Sequence, residues 1–352
     1  MPISGRMTSS AWPTITAGAD MTDAVLVTGG AGYIGSHVCQ ALAAAGWQPV
    51  VYDNMSSGHG WAVQWGPLEG GDLIDAGRLD EVMRKHRPVA VIHLAGLIVS
   101  SESVRDPEPY YATNIAGSLS LFEAMRRNGI ERVVFSSSAA VYGEPEVTPI
   151  PENHPRRPLN PYGTSKLVIE GALQDYARAY GLHSVSLRYF NAAGADPAGG
   201  VGEAHPIETH LIPLVLDAAA GLRPAIAVYG DDYPTGDGTC IRDYIHVCDL
   251  ADAHILALRY LDRAVGAHAF NLGSGSGATV REVIRMSEGI IGKKIPLSIA
   301  PRRPGDPAAL LADPARALQL LGWQPRLSDL ETMISTAWLW HQKLLQRRKA
   351  MM

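Results

Sequence analysis

Tyr162 and Lys166 lie four positions apart in the run NPYGTSK (Asn160–Lys166). On a helix that spacing places a phenol and an ammonium on one face, one turn apart. A neighbouring positive charge favours phenolate, so the pair predicts a tyrosine acid/base with a pKa below its ordinary value of about 10. Upstream, TGGAGYIG (Thr28–Gly35) sets Gly29, Gly32 and Gly35 in a G-x-x-G-x-x-G spacing. Glycines so placed permit a tight turn and close approach of backbone to a pyrophosphate, which then rests on a helix N-terminus. Asp53, 18 residues beyond Gly35, can accept both hydroxyls of an adenosine ribose and disfavours a 2′-phosphate there.

These residues need elements to hold them. Asn160 is a preferred N-cap and Pro161 suits the first helical position, so a helix begins at Pro161. Leu173, Tyr176, Ala177 and Tyr180 continue its apolar stripe, and Gly181 is a stop. The apolar run Ala24–Thr28 predicts a buried strand ahead of the glycine turn, with a helix over Ser36–Ala45 ending at Gly46. Val50–Tyr52 reads as a second strand that ends in Asp53. Asp72 follows a short strand-like segment, where it suits an adenine amine. A strand over Val89–Leu94 leads into Ala95 and Gly96, small enough for a cofactor to approach the backbone. Tyr110–Asn128 reads as helix and Arg132–Phe135 as strand, with Ser136, Ser137 and Ser138 at its carboxyl end.

Repeated βα units with apolar strands predict an α/β fold, a doubly wound (Rossmann) parallel sheet with a smaller C-terminal α/β substrate-binding lobe. Ligands of such sheets bind at the carboxyl ends of the strands, where all the motifs above converge. The expected organisation is an N-terminal extension over 1–22, a dinucleotide-binding domain over 23–190 to which the chain returns around 238–262, and a substrate lobe over 191–345. Residues 1–22, rich in Ser, Thr, Pro and Ala, lack the charge and apolar core of a signal peptide, and Met21 is an alternative initiator.

The 352 residues allow two lobes and a sizeable core; 46% hydrophobic and 18% charged residues are ordinary for a globular protein. A net charge of -5 gives no reason to expect nucleic acid or an anionic membrane as partner. Cys39, Cys240 and Cys248 form neither a disulfide framework nor a zinc site, which suits a reducing cytoplasm. No apolar run approaches the roughly 18 residues needed to span a bilayer. The 12 histidines show no metal-ligand spacing, and none is assigned to a metal.

With TGGAGYIG, Ser138 and Tyr162-x-x-x-Lys166 in place, the chain resembles the extended short-chain dehydrogenase/reductase family, and within it the UDP-glucose/galactose 4-epimerases. Further matching runs are SSSAAVYG (Ser136–Gly143), SLRYFNAAGA (Ser186–Ala195), HLIPLVL (His210–Leu216), DGTCIRDYIHV (Asp237–Val247), FNLGSG (Phe270–Gly275) and APRRPGD (Ala300–Asp306).

The resemblance implies a tightly held NAD. Gly29, Gly32, Tyr33, Ile34, Gly35, Asp53, Asn54, Asp72 and Leu73 would hold its adenosine and pyrophosphate side. Leu94, Ala95, Gly96, Asn114, Ser136, Tyr162, Lys166, Tyr189 and Phe190 would complete the cofactor site. It implies that Tyr162 takes the proton of the sugar 4-OH, that Ser138 hydrogen-bonds the same oxygen, and that Lys166 holds the nicotinamide ribose. Hydride would leave C4 for the nicotinamide and return to the opposite face of a 4-keto sugar. The nucleotide must then be held firmly and the hexose loosely. Asn191, His210, Leu211, Arg242, Arg303 and Asp306, with the strand Ala227, Val228 and Tyr229, would grip UDP. Leu310 falls at the hexose gate, and its intermediate size leaves N-acetylhexosamine activity open; a pentose or uronate 4-epimerase also stays open, since only the hexose pocket would differ. The resemblance also implies a homodimer in which the helices Tyr110–Asn128 and Pro161–Tyr180 pack against their copies as a four-helix bundle.

Two rivals carry less. A 4,6-dehydratase would need carboxylates after the hydroxyl residue, where Ala139 and Ala140 stand. A catalytically silent NAD-binding regulator would be expected to have lost Ser, Tyr or Lys, and all three are present.

Overall fold

Short apolar strands separated by amphipathic helices have one economical solution, a parallel sheet buried on both faces. A computed structural model describes residues 23–303 and 306–351, so the expected extension over 1–22 lies outside the described residues. Its main sheet is built from β1 (Ala24–Thr28), β2 (Gln48–Asp53), β3 (Leu68–Gly70), β4 (Ala90–His93), β5 (Arg132–Ser138), β6 (His183–Tyr189) and a last strand, Ala267–Leu272. All pairings are parallel, in the order Ala267–Leu272, β6, β5, β4, β1, β2, β3. The order reverses between β1 and β4, the crevice where such sheets take ligands.

Strand alternation divides the core. Val25 and Val27 face a cluster with Leu42, Ile92, Leu250 and Phe270, whereas Leu26 faces Val50, Leu79, Val91, Leu121 and Phe135. The first face is covered by the helices Tyr33–Ala44 and Val247–Tyr260, which pack on each other. The second takes Ala76–His86, Gly117–Arg127 and Pro161–Tyr180.

Several boundaries differ from expectation for local reasons. The helix after the glycine turn begins at Tyr33 rather than Ser36, because extended Gly32 is its N-cap. β5 runs on through Ser138, so the three serines belong to the strand. The single helix expected over Tyr110–Asn128 is broken by a π turn, Tyr111–Ala116, ahead of Gly117–Arg127. Such wide turns recur at functional sites, and this one carries Asn114. The chain's return to the sheet, expected around 238–262, continues to Leu272, because Ala267–Leu272 is the seventh strand.

The smaller lobe sets the helices Leu211–Ala219 and Val280–Ile291 beside two small sheets. One pairs Ile226–Tyr229 with Leu297–Ala300; the other pairs Ile241–Arg242 with Ala278–Thr279 and Ala309–Leu310. No helix among the described residues is long and apolar enough to cross a membrane.

Burial of imidazoles makes the fold acid-sensitive. Desolvation holds His37, His246 and His254 down to about 4 and His93 down to about 3. An unfolded histidine takes its proton near about 6.5. Between those values the unfolded chain binds more protons than the folded one, so stability is complete above the unfolded value and falls as pH drops towards 4. Each group contributes up to about 1.4 kcal/mol per pH unit within that window. The urea midpoint is therefore expected to fall steadily from pH 6.5 to pH 5; a flat profile over that interval would contradict the neutral, buried state of these rings.

Candidate active site

Parallel pairing delivers the ends of β1, β2, β4 and β5 to one edge, and most of the predicted residues gather there. The glycine turn leaves β1 with Gly29 N donating to Tyr52 O at 2.9 Å. A Cβ on Gly35 would lie 2.1 Å from Gly29 O, so the helix start closes on the turn only through glycine. Asp53, at the end of β2, accepts from Ala31 N at 3.0 Å and Met55 N at 2.8 Å, which aims its carboxylate across the turn. Asn54 donates to Asp72 Oδ2 at 2.8 Å, and Asp72 Oδ1 accepts from Ile74 N at 3.1 Å. Asp53, Asn54 and Asp72 thus stand together beyond β2 and β3. Gly32 caps the helix. Ile34 and Leu94 pack on one core face, Leu73 and Ala95 on the other. Tyr33 OH donates to Gly194 O at 2.6 Å and fastens the helix to the smaller lobe.

Three residues expected to touch the cofactor have their side chains engaged with protein. The Asn114 amide accepts from Leu97 N at 2.8 Å, donates to Leu97 O at 3.0 Å and donates to Ser165 Oγ at 3.1 Å. It steadies the loop after Gly96 against the Pro161–Tyr180 helix. The hydroxyls of Ser136 and Tyr189 bond each other and brace β5 against β6.

The Pro161–Tyr180 helix starts and stops where its caps require. Asn160 accepts from Gly163 N at 2.8 Å, and Gly181 closes the helix at φ 73. A Cβ on Gly163 would stand 2.5 Å from Ala140 O, so this glycine lets the helix start press against the turn after Ser138. Lys166, 2% exposed, donates to Ser136 O at 2.8 Å and lies 5.8 Å from the centre of the Tyr162 ring. Burial pushes its ammonium down to about 8.

The expected depression of the Tyr162 pKa is not observed. Burial raises the phenol above its ordinary value, and the Ser138 hydroxyl pulls it only part of the way back. Spacing placed Lys166 on the right face, but its ammonium is aimed at a backbone carbonyl, and burial of the phenol is the largest cause of its shift.

Glu170, one turn past Lys166, was absent from the sequence reading. It takes Arg188 Nε at 2.8 Å and Nη2 at 2.6 Å, and accepts from Ser137 Oγ at 2.6 Å. Burial pushes its carboxyl up, yet Arg188 and Ser137 hold it below its usual range. This network locks the helix that carries Tyr162 and Lys166 to β5 and β6. Its one signal in the sequence was the i, i+4 step from Lys166.

A separate cleft opens in the smaller lobe. Asn191, His210 and Leu211 line it, with Ala227 and Tyr229 from the Ile226–Tyr229 strand, and so do Arg242, Arg303 and Asp306. Arg242 pairs with the Asp306 carboxylate, and the Arg303 guanidinium lies 4.0 Å over the Tyr229 ring. Asn191 Nδ2 donates to Asp243 O at 2.8 Å. Val228, expected with Ala227 and Tyr229, faces the other way: at 1% exposure it packs with Val215, Ala218 and Ile284. Strand alternation requires that. Arg223 also lines the cleft and no motif had singled it out. Leu310 and Phe190 pack on Val141, Tyr142 and Ile150.

Two histidines sit in a cluster that no spacing in the sequence singled out. Glu203, His205, Glu208 and His210 bring four potential ligand atoms within 4.8 Å of one another. Burial pulls both imidazoles down, but the two carboxylates outweigh it and raise His205 to about 9 and His210 to about 10.

The description NAD dependent epimerase/dehydratase family matches residues 25–273. The chain is 51% identical to a UDP-glucose 4-epimerase of Rhizobium meliloti (strain 1021), across 91% of this chain and 97% of that protein. It is similar in fold to UDP-glucose 4-epimerase from Brucella ovis in complex with NAD, with a TM-score of 0.89 and 52% identity over 90% of this chain and 98% of that one. It is similar also to UDP-glucose 4-epimerase from Bifidobacterium longum in complex with NAD+ and UDP, with a TM-score of 0.87 and 39% identity over 91% and 98% of the two chains.

Proposed function

Because the chain belongs to the NAD dependent epimerase/dehydratase family, we infer that it interconverts UDP-glucose and UDP-galactose by inverting C4 of the hexose. The single observation that carries this reading is the meeting of Ser138, Tyr162 and Lys166 on one sheet edge, joined to a glycine turn shaped for a dinucleotide. The turn fits NAD: a Cβ at Gly35 would collide with Gly29 O, so glycine is what lets the turn close tightly enough for a pyrophosphate to approach, and the Asp53 carboxylate would accept the hydroxyls of an adenosine ribose. When bound there, NAD supplies the acceptor and donor for the hydride of C4.

The chain's own residues do the rest. Tyr162 takes the proton of the 4-OH as the sugar becomes a 4-keto compound and returns one after C4 is reduced from its other face. Ser138 holds the same oxygen by its hydroxyl. Lys166 lends positive charge to the phenolate half of the cycle, while burial favours the protonated half. Arg242 and Arg303 grip the diphosphate, so the hexose alone is free to turn over.

Proton NMR of the anomeric region tests the reaction. The purified protein, with no NAD added, is expected to convert UDP-galactose into its gluco epimer. Failure even after NAD is supplied would remove the reading. UDP-N-acetylgalactosamine, incubated separately, reports on Leu310, which like Phe190 packs on the cluster of Val141, Tyr142 and Ile150. Arg303→Ala is expected to raise KM about tenfold or more with kcat changed little, since its contact is made equally in ground and transition states. Steady-state kinetics decide between that and a kcat effect.

The protein acts as a homodimer in the cytoplasm. What supports the dimer is the exposure of apolar side chains on the two helical segments: Tyr111 at 42%, Leu119 at 36%, Val168 at 42% and Tyr180 at 57%. Leu119→Glu combined with Val168→Glu is expected to halve the mass measured by light scattering. A parent protein that elutes as a monomer would refute the assignment.

A further inference from the structure

The segment Glu203–His210 runs as an irregular loop into the Leu211–Ala219 helix, which borders the nucleotide cleft. Four of its eight residues turn ligand atoms towards one point. His210 Nδ1 lies 2.7 Å and His205 Nδ1 3.0 Å from Glu203 Oε1, and His205 Nδ1 lies 3.5 Å from Glu208 Oε2. At such distances a hydrogen bond would be expected. Yet Glu203 Oε1 and His205 Nδ1 have no hydrogen-bond partner, although the Glu203 side chain is only 7% exposed. Their approach has the wrong angles for N–H···O bonding. Within the cluster His210 Nδ1 and Glu208 Oε1 bond each other at 3.1 Å, and the lone pairs left unshared on Glu203 and His205 are what a cation can use.

The surroundings fix the donors. Glu208 Oε1 accepts from Thr209 N at 2.7 Å and His210 N at 2.8 Å, which leaves Oε2 turned towards His205. The His205 ring meets the edge of Tyr33 at a centroid distance of 6.3 Å, and Tyr33 is itself tied to Gly194. Both imidazoles present the same nitrogen, Nδ1. A tetrahedron with metal–ligand bonds of about 2.0–2.1 Å has edges of about 3.4 Å. The imidazole–carboxylate separations run from 2.7 to 3.5 Å and all four ligand atoms lie within 4.8 Å of one another, so a tetrahedron forms by side-chain shifts of under about 1 Å.

We propose that Glu203, His205, Glu208 and His210 form a structural site for a divalent cation of the zinc class. Two imidazoles that release their Nδ1 protons to the solvent on binding, with two carboxylates, suit that borderline ion, and four protein ligands leave no open position for chemistry. The ion fastens the loop between the Tyr33 helix and the nucleotide cleft, and holds the His210 ring at the cleft's edge. The alternative is a cluster in which two imidazolium ions neutralise two carboxylates and no metal enters.

Full-length protein, stripped with a chelator, would be titrated with zinc against a chromogenic indicator and, separately, with cobalt(II). One equivalent of zinc is expected, with four-coordinate cobalt absorption and no thiolate band. Glu203→Gln and His205→Gln are each expected to weaken zinc at least tenfold, while His268→Gln on the edge strand leaves both stoichiometry and affinity unchanged. Three results would overturn the site: no saturable equivalent, an affinity indifferent to Glu203 and His205, or a six-coordinate or thiolate cobalt spectrum. The cobalt spectrum of the unsubstituted protein decides even where a variant fails to fold.

Discussion

Tyr162→Phe is expected to lower kcat by about a thousandfold, within the range for loss of a positioned general acid/base. The substitution removes one oxygen and keeps the ring, so packing against Lys166 and the helix start survives. What disappears is the group proposed to move the proton of the sugar 4-OH. Neither neighbour can replace it: the Lys166 ammonium is bonded to Ser136 O, and the Ser138 hydroxyl has far too high a pKa to act as a base unaided. Circular dichroism should be unchanged and NAD should remain with the purified protein. Turnover within tenfold of the parent would show that the proton leaves by another route.

Gly35→Ala is expected to strike the other half of the site. The new Cβ would lie 2.1 Å from Gly29 O and 2.7 Å from Gly30 Cα, and both are backbone atoms in a tight turn. Unlike a flexible side chain, they cannot step aside, so the turn itself must open. Overpacking of this kind costs about 1–3 kcal/mol of stability, and a turn forced open no longer presents its backbone to the pyrophosphate, so NAD affinity is expected to fall about tenfold or more. Purified variant should carry little NAD by absorbance, be inactive as isolated, and recover in part when excess NAD is added. Undiminished retention of cofactor would mean that the turn does not cradle it.

What could be read from the sequence was what local chemistry decides. Asn160, Pro161 and Gly181 bounded their helix correctly because caps act on the nearest turn of backbone. The strand ends at Thr28 and Asp53 followed from apolar runs meeting residues that strands avoid. Depth was not legible. The i, i+4 spacing put Tyr162 and Lys166 on one face, but burial, a property of the whole packed structure, reversed the expected direction of the phenol's shift. Parity was available and was overlooked: with Ala227 and Tyr229 on the cleft, Val228 had to face the core. The π turn at Tyr111–Ala116 exists where Asn114 bonds a distant loop, and no local pattern announces that. The Glu203–His210 cluster escaped because loop residues have no periodicity from which convergence can be read.

The position of Ala267–Leu272 at the edge of the sheet bears on how the polypeptide is made. Its partner β6 ends at Tyr189, so their pairing closes a loop of nearly eighty residues that includes much of the smaller lobe. Contacts this distant along the chain slow folding, since the entropy of closure is lost before any bond rewards it. During synthesis β6 emerges with one edge bare, and the Tyr33–Ala44 helix lacks its cover, Val247–Tyr260. A nascent chain that stalls before Leu272 exposes a strand edge and an apolar face together, the combination that invites aggregation. The two lobes are therefore not separable parts: expressed alone, the dinucleotide-binding half would be a client for chaperones rather than a working fragment.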